Sequence, residues 1–366
     1  MSQINGLIAH GVRNLQPYQP GKPVESLERE LGLTDIVKLA SNENPRGVSP
    51  IVVDAVNEAL MSAARYPDGS GTSLKHSLAE SLRVSADEVT LGNGSNDVLD
   101  LIVRAFVNPG EEVVVSEHAF AVYVLASMSV NAQLRVVPAS GYGHDLVAMS
   151  GAVTSKTKLV FVANPNNPTG TYSTMGAVEN FLDALPPTVL AVLDEAYFEY
   201  VDEVLYGNGL TLLDKYPNLI VTRTFSKIYG LASVRLGYSV SSPEFADLLN
   251  RARQPFNVNG LAMAAGLAAI ADDDYVQRSR ALNQDGMAQV TQGLTAQGYS
   301  FIPSVGNFVA FDSGRAGADV FDDLLRQGVI VRPIAEYGLP NHVRVSIGLP
   351  IENERFLSAL AALGPG

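Results

Sequence analysis

Reactive side chains in this chain gather at the ends of short apolar runs, and one stretch, TRTFSKIYGLASVRLGY from Thr222 to Tyr238, concentrates them. Lys227 stands directly behind the hydroxyls of Thr224 and Ser226, past the apolar run Leu219-Ile220-Val221, and Arg235 follows after a glycine-containing turn. A lysine that carries a carbonyl covalently needs a fixed stem, a lowered pKa and an anion site nearby, because only the neutral amine attacks and a phosphorylated aldehyde must be held. A solvated loop lysine would show the same Ser-Lys pair. Other parts of the chain must therefore decide.

Three further stretches bear on that chemistry. LGNGSND, Leu91 to Asp97, puts a glycine turn between a strand and a helix. Backbone amides at such a helix start can cradle a phosphate, although an ordinary strand-to-helix turn reads the same way, and the spacing is not that of a dinucleotide fold. VANPNNPTG, Val162 to Gly170, ends an apolar run in a proline-stiffened loop whose asparagines could donate to a phenolate-like oxygen. LAVLDEAYFEY, Leu190 to Tyr200, places Asp194 at the carboxyl end of a buried run. An acid there is costly without a cationic partner, which a protonated pyridine nitrogen would supply. An acid for a ring nitrogen, Asn and Tyr for a ring oxygen, a lysine for an aldehyde and a phosphate cradle with Arg235 form the set that pyridoxal 5′-phosphate requires.

The elements that must position these groups alternate short β-branched runs with helical patterns, the signature of a parallel sheet with crossover helices. Seven strands are expected, at Val89 to Leu91, Glu112 to Ser116, Leu134 to Val137, Lys158 to Ala163, Leu190 to Asp194, Leu219 to Thr222 and Leu236 to Val240. Ser49-Pro50 reads as the cap and first position of a helix reaching about Ala64. Beyond about Asp274 a long polar helix precedes short strands at Tyr299 to Ile302, Asn307 to Phe311, Val329 to Arg332 and Val343 to Ile347. The expected class is α/β: a large cofactor-binding domain over residues 40–255, its mostly parallel seven-stranded sheet lying between helices. Residues 1–39 and 256–366 are expected to form an N-terminal arm with a smaller α+β domain.

Composition narrows the classes. The chain has 366 residues, 46% apolar and 17% charged, enough for a large core. It has no cysteine, which fits a reducing cytoplasm and removes thiolate metal sites. Five histidines without metal-ligand spacing leave no metal expected. A net charge of −13 argues against nucleic acid as a partner. No apolar run approaches a membrane span, so no membrane partner is expected.

The order GNGS, NPNNPTG, DEAY, then SK followed by Arg235 resembles the fold-type I pyridoxal-phosphate aminotransferases over nearly the whole chain. LQPYQPGKP, KLASNENP, RYPDGSG, HAFAVY and HVRVSIG resemble, within them, the histidinol-phosphate aminotransferases. The resemblance implies that Lys227 carries the cofactor aldehyde and later shuttles a proton, that Asp194 keeps the ring nitrogen protonated, and that Asn167 and Tyr197 bind the ring oxygen. Phe120 would stack on the ring. The backbone around Ser95 and Asn96, the hydroxyls of Thr224 and Ser226, and Arg235 would hold the phosphate, joined by Tyr66 from a neighbouring subunit. That last role implies a homodimer with shared sites. Arg344, Arg332, Tyr18 and Asn167 would bind the substrate, and a small amino donor and keto-acid acceptor would be the partners.

The implied reaction moves an amino group between L-histidinol phosphate and 2-oxoglutarate in histidine biosynthesis. Related chemistries are an aromatic amino-acid aminotransferase, a phospho-amino-acid decarboxylase and, on the same fold, an effector module of a transcription regulator. The last would need a basic DNA-binding domain, which the chain lacks ahead of these motifs. Three departures from the family pattern stand out. Arg46 follows Glu43-Asn44-Pro45 where leucine is common and could attract a further anion; Asn96-Asp97 replaces Asp-Glu; and Ser233 replaces a glycine.

Overall fold

In the computed structural model, residues 7–13, 15–17 and 21–364 are described, so Tyr18 lies outside the described residues. Its strands in chain order are β1 (Val37–Lys38), β2 (Val89–Gly92), β3 (Glu112–Ser116), β4 (Gln133–Val137), β5 (Thr157–Ala163), β6 (Leu190–Asp194), β7 (Leu219–Thr224), β8 (Gly237–Val240), β9 (Phe301–Ile302), β10 (Phe308–Asp312), β11 (Val329–Ile330), β12 (Arg332–Pro333) and β13 (His342–Ser346).

Seven of them form one sheet in the order β2-β8-β7-β6-β5-β3-β4. Only β8 runs antiparallel to its neighbours β2 and β7; the remaining pairs are parallel. The expected mostly parallel α/β sheet is therefore present. Its central strands are apolar on both faces because helices cover both. Leu159, Phe161 and Ala163 of β5 and Ile220 of β7 enter one core, while Val160, Val162, Leu219 and Val221 enter the other. Period-two alternation between two buried layers is what a doubly covered sheet imposes. The edge strand β4 instead exposes Gln133 and Arg135, which discourages pairing with another edge.

A second sheet, β12-β13-β10-β9, is antiparallel and packs on the 24-residue helix Asp273–Ala296 and the helix Pro350–Leu363. The stretch Val329 to Arg332, read from sequence as one strand, is two: β11 pairs in parallel with β1, and after Val331 the chain changes partner so that β12 joins β13. This switch makes Arg332 the register partner of Arg344.

Ser49 precedes the helix Pro50–Leu60, shorter than expected, and its hydroxyl bonds the Asp272 carboxylate rather than capping the helix. A helix at Leu146–Gly151 escaped the sequence pattern because six residues are too few to show a period. Asp145 caps it, accepting from the Ala148 amide at 2.9 Å.

Candidate active site

The carboxyl ends of parallel strands are where loops can present side chains without interrupting the sheet. Asp194 ends β6, Thr224 ends β7, and the loop after β5 carries Asn167. These three line one cavity with Ser95, Asn96, Phe120, Tyr197, Ser226, Lys227, Arg235, Arg332 and Arg344. Tyr66 is absent from that lining. It stands 84% exposed and stacks on Phe256, ring centroids 4.8 Å apart. Arg46 does not reach the cavity either. Its guanidinium lies 5.5 Å from the Tyr275 ring centroid.

Asp194 is buried, and burial raises its pKa. Hydrogen bonds oppose that rise: Tyr123 Oη donates to Oδ2 at 2.6 Å and Thr222 Oγ1 to Oδ1 at 3.0 Å. A carboxylate offers about four lone-pair directions, so both donors leave capacity for one more N–H from the cavity. Tyr123 itself is fixed by stacking on Phe161, nearly parallel at 4.4 Å.

Lys227 Nζ donates to the Ser41 carbonyl at 3.1 Å and lies 5.5 Å from the Tyr197 ring centroid. The protein around it displaces bulk water, while the cavity keeps the residue partly accessible. Desolvation, with the positive charges of Arg344 and Arg235, lowers its pKa to about 7, opposed by Glu43 and Asp194. A neutral, nucleophilic amine is thus present at ordinary pH. Condensation of the cofactor-free protein with an added aldehyde is expected to be half-maximal near pH 7. Stopped-flow rates that kept climbing through pH 9 would show that the amine is not desolvated.

The phosphate end is built on tight backbone approaches. Gly94 has φ +84°, and a Cβ there would lie 2.2 Å from Arg235 Nη2. A Cβ on Gly237 would lie 2.2 Å from the Ser95 amide nitrogen. These contacts hold the start of the helix Ser95–Phe106 against β8 and under Arg235. Arg235 itself sits at φ 63°, an unfavourable conformation for a long side chain, held by Nη1 donating to the Ala232 carbonyl at 2.8 Å and to Ser226 Oγ at 3.2 Å. Two hydroxyls, a guanidinium and the amides of a helix start converge on one end of the cavity, the donor set a phosphate requires.

Arg344 Nη1 donates to Asn167 Oδ1 at 2.5 Å and Nη2 to the Ala40 carbonyl at 2.7 Å. The first bond orients the Asn167 amide, leaving its NH2 as the group that can donate to a ligand oxygen. Arg332 also lies on the cavity wall, its Nη2 bonded to the Glu336 carboxylate.

Several contributors have no role assigned from the sequence, although Asn42 lies within KLASNENP. Asn42, buried at φ 54°, donates from Nδ2 to Tyr197 Oη at 2.9 Å, and its backbone amide donates to Ser346 Oγ at 2.8 Å. Behind Asp194, Arg223 grips Glu195 through Nε at 3.0 Å and Nη2 at 2.6 Å and lies 3.7 Å over the Phe198 ring. That clamp ties the ends of β6 and β7. Strict buried-run patterning around Arg223 and Glu195 was the available hint, since charges at such positions survive only when paired.

Among the described residues, no group of three or more His, Asp or Glu could hold a metal ion. The family described as "Aminotransferase class I and II" matches residues 34–360. A histidinol-phosphate aminotransferase 2 of Pseudomonas fluorescens is 57% identical over 352 residues, covering 96% of this chain and 95% of that protein. A histidinol-phosphate aminotransferase 1 of Nitrosococcus oceani is 55% identical over 354 residues, covering 97% and 96%. The crystal structure of histidinol-phosphate aminotransferase from Sinorhizobium meliloti in complex with pyridoxal-5′-phosphate superposes with a TM-score of 0.89 at 30% identity over 98% of both chains.

Proposed function

This chain belongs to the class I and II aminotransferase family, and from that premise we propose that it exchanges an amino group between L-histidinol phosphate and 2-oxoglutarate in histidine biosynthesis. The cofactor is pyridoxal 5′-phosphate. Its fit rests on the donor set: a buried acid with a spare acceptor direction at one end of the cavity, and the Gly94 to Asn96 cradle under Arg235 at the other. When bound, its ring withdraws electrons from the substrate carbon that loses its proton.

The chain's residues then divide the work. Asp194 would keep the ring nitrogen protonated, and Tyr197 and Asn167 would donate to the ring oxygen. Phe120 would stack on the ring. Thr224, Ser226, Arg235 and the amides of Ser95 and Asn96 would hold the phosphate. Lys227 would anchor the cofactor aldehyde between turnovers and, as a free amine, would take the proton from the substrate Cα and deliver it to the cofactor carbon C4′, the shift that moves the amino group. Its pKa of about 7 suits both tasks. We take residues 40–255 as the cofactor-binding unit.

The observation that favours a phosphorylated substrate is the register pairing of Arg332 with Arg344, which brings two arginines from neighbouring strands to the wall of one cavity. Arginine forks suit phosphate and carboxylate alike, and two of them suit a phosphate. Arg332→Ala is expected to lower kcat/KM for histidinol phosphate by about 30-fold or more, and to raise selectivity for phenylalanine, in half-reaction kinetics. Equal losses for both substrates would remove Arg332 from phosphate recognition. A wild-type enzyme faster with phenylalanine than with histidinol phosphate would make it an aromatic aminotransferase.

A homodimer with shared sites is the proposed assembly. Tyr66 turns away from its own cavity, and Leu60, Met61 and Phe256 near it are exposed, an apolar surface suited to a second copy. Sedimentation equilibrium at assay concentration showing a single chain would overturn this. Among the described residues no helix is long and apolar enough to cross a membrane, and the proposed compartment is the cytoplasm.

A further inference from the structure

Arg332 and Arg344 are Cα partners across β12 and β13, and both line a cavity that also holds Lys227 and Arg235. Such a cluster attracts anions, but an empty cluster is costly unless something neutralises it. Asp194 lies on the same cavity, and at Arg332 the neutralising charge is that of Glu336. It lies in the turn Ala335–Tyr337, four residues beyond Arg332, and its carboxylate bonds Arg332 Nη2. The two partners differ in their freedom. The Arg332 side chain is 9% exposed and the Glu336 side chain 41% exposed, so the arginine is held in place while the acid can turn outward.

We infer that Glu336 is a displaceable counter-ion: it occupies Arg332 while the site is empty, and an anionic substrate tail must push it aside to take that guanidinium. The inference rests on the assignment of Arg332 to the substrate's phosphate. Exchanging the Glu336 carboxylate for another carboxylate gains little, because the two make the same contact. A phosphate dianion carries twice the charge and more acceptor oxygens, so the exchange runs in its favour. Two binding modes follow in one cavity. A phosphate-tailed amine binds with Glu336 released, and a ligand with a weaker tail binds through Arg344 with the Arg332–Glu336 pair intact. This gives a physical route by which successive substrates of different charge can use the same site.

The return path is also built in. Glu336 borders a second, largely apolar cleft lined by Val115, Ala121, Val124 and Leu125. Among the described residues lining that cleft there is no lysine or arginine, and Glu117 adds a like charge. A released Glu336 therefore finds no competing cation there and comes back to Arg332, which helps expel the phosphorylated product.

The test is a titration of the cofactor-loaded enzyme with inorganic phosphate as a competitive inhibitor, comparing wild type with Glu336→Gln. The variant is expected to bind phosphate about two- to fivefold more tightly, the span of partly exposed ion pairs, and to shift the KM ratio of histidinol phosphate to phenylalanine by a similar factor towards the phosphate. The phosphate effect should vanish when Arg332 is also changed to Met. Weaker phosphate binding in Glu336→Gln would mean that Glu336 orients Arg332 for the ligand, and an effect that persists without Arg332 would mean that it acts elsewhere; either overturns the inference. Because inorganic phosphate reads the pair directly, an enzyme that rejected histidinol phosphate would refute the substrate assignment separately.

Discussion

Lys227→Ala is expected to cut single-turnover transamination by at least about 10³-fold, the scale of losing a positioned proton carrier together with a covalent anchor. Two functions are lost at once, because the same amine, held at 3.1 Å from the Ser41 carbonyl and near Tyr197, serves both. The variant should still bind the cofactor through its phosphate and ring contacts, but without the absorbance band of a lysine-bound aldehyde. It should also unfold at higher temperature than the cofactor-free wild type near pH 7. The sign follows from linkage. The lysine's folded-state pKa of about 7 lies below its ordinary 10.5, so the unfolded chain binds the extra proton between those values and the destabilisation grows as pH falls from 10.5 to 7. Removing the amine removes that cost. Retained turnover would refute the assignment, and loss of activity with a collapsed melting curve would indicate misfolding instead.

Asp194→Asn should lower the same single-turnover rate by about 10²–10³-fold, comparable to removing one preorganised electrostatic contact at a reacting centre. The substitution keeps shape and removes charge. Tyr123 and Thr222 donate to the carboxylate, and an amide can accept from only one of them, so its NH2 would face a donor that it cannot satisfy. The ring nitrogen would lose the charge that favours its proton. Absorbance titration of the loaded variant should show that proton leaving at lower pH than in wild type. A rate within a few-fold of wild type would mean that the ring does not need its nitrogen protonated here.

What could be read from the sequence was what neighbouring residues make together. Lys227 with Thr224 and Ser226, Asp194 at the end of an apolar run, and the proline-framed Asn167 are each local patterns, and the structure brings all of them to one cavity. The sheet was legible for the same reason: β5, β6 and β7 each contain an apolar run, Leu159 to Ala163, Leu190 to Leu193 and Leu219 to Val221, followed directly by a polar residue. The missing parts depend on contacts between distant residues. Asn42 meets Tyr197 across 155 positions, and Tyr123 meets Asp194 across 71, and neither pair has a spacing to recognise. The division of Val329 to Arg332 between two partners was hidden because either pairing accepts β-branched residues. The contact of Arg46 with the Tyr275 ring is likewise long-range and had no spacing to reveal it.

The chain from β1 to Asn42 runs between lobes. Leu39 donates to the Ile330 carbonyl and accepts from the Ser346 amide, and the next residues reach Arg344, Lys227 and Tyr197. These few residues form a linkage, in the thermodynamic sense, between order in the small sheet and occupancy of the lysine. Any free energy by which loading the lysine site stiffens the small sheet is returned in equal measure as tighter loading when a substrate clamps that sheet through Arg344. Cofactor retention and substrate grip are in this respect one equilibrium observed at two places.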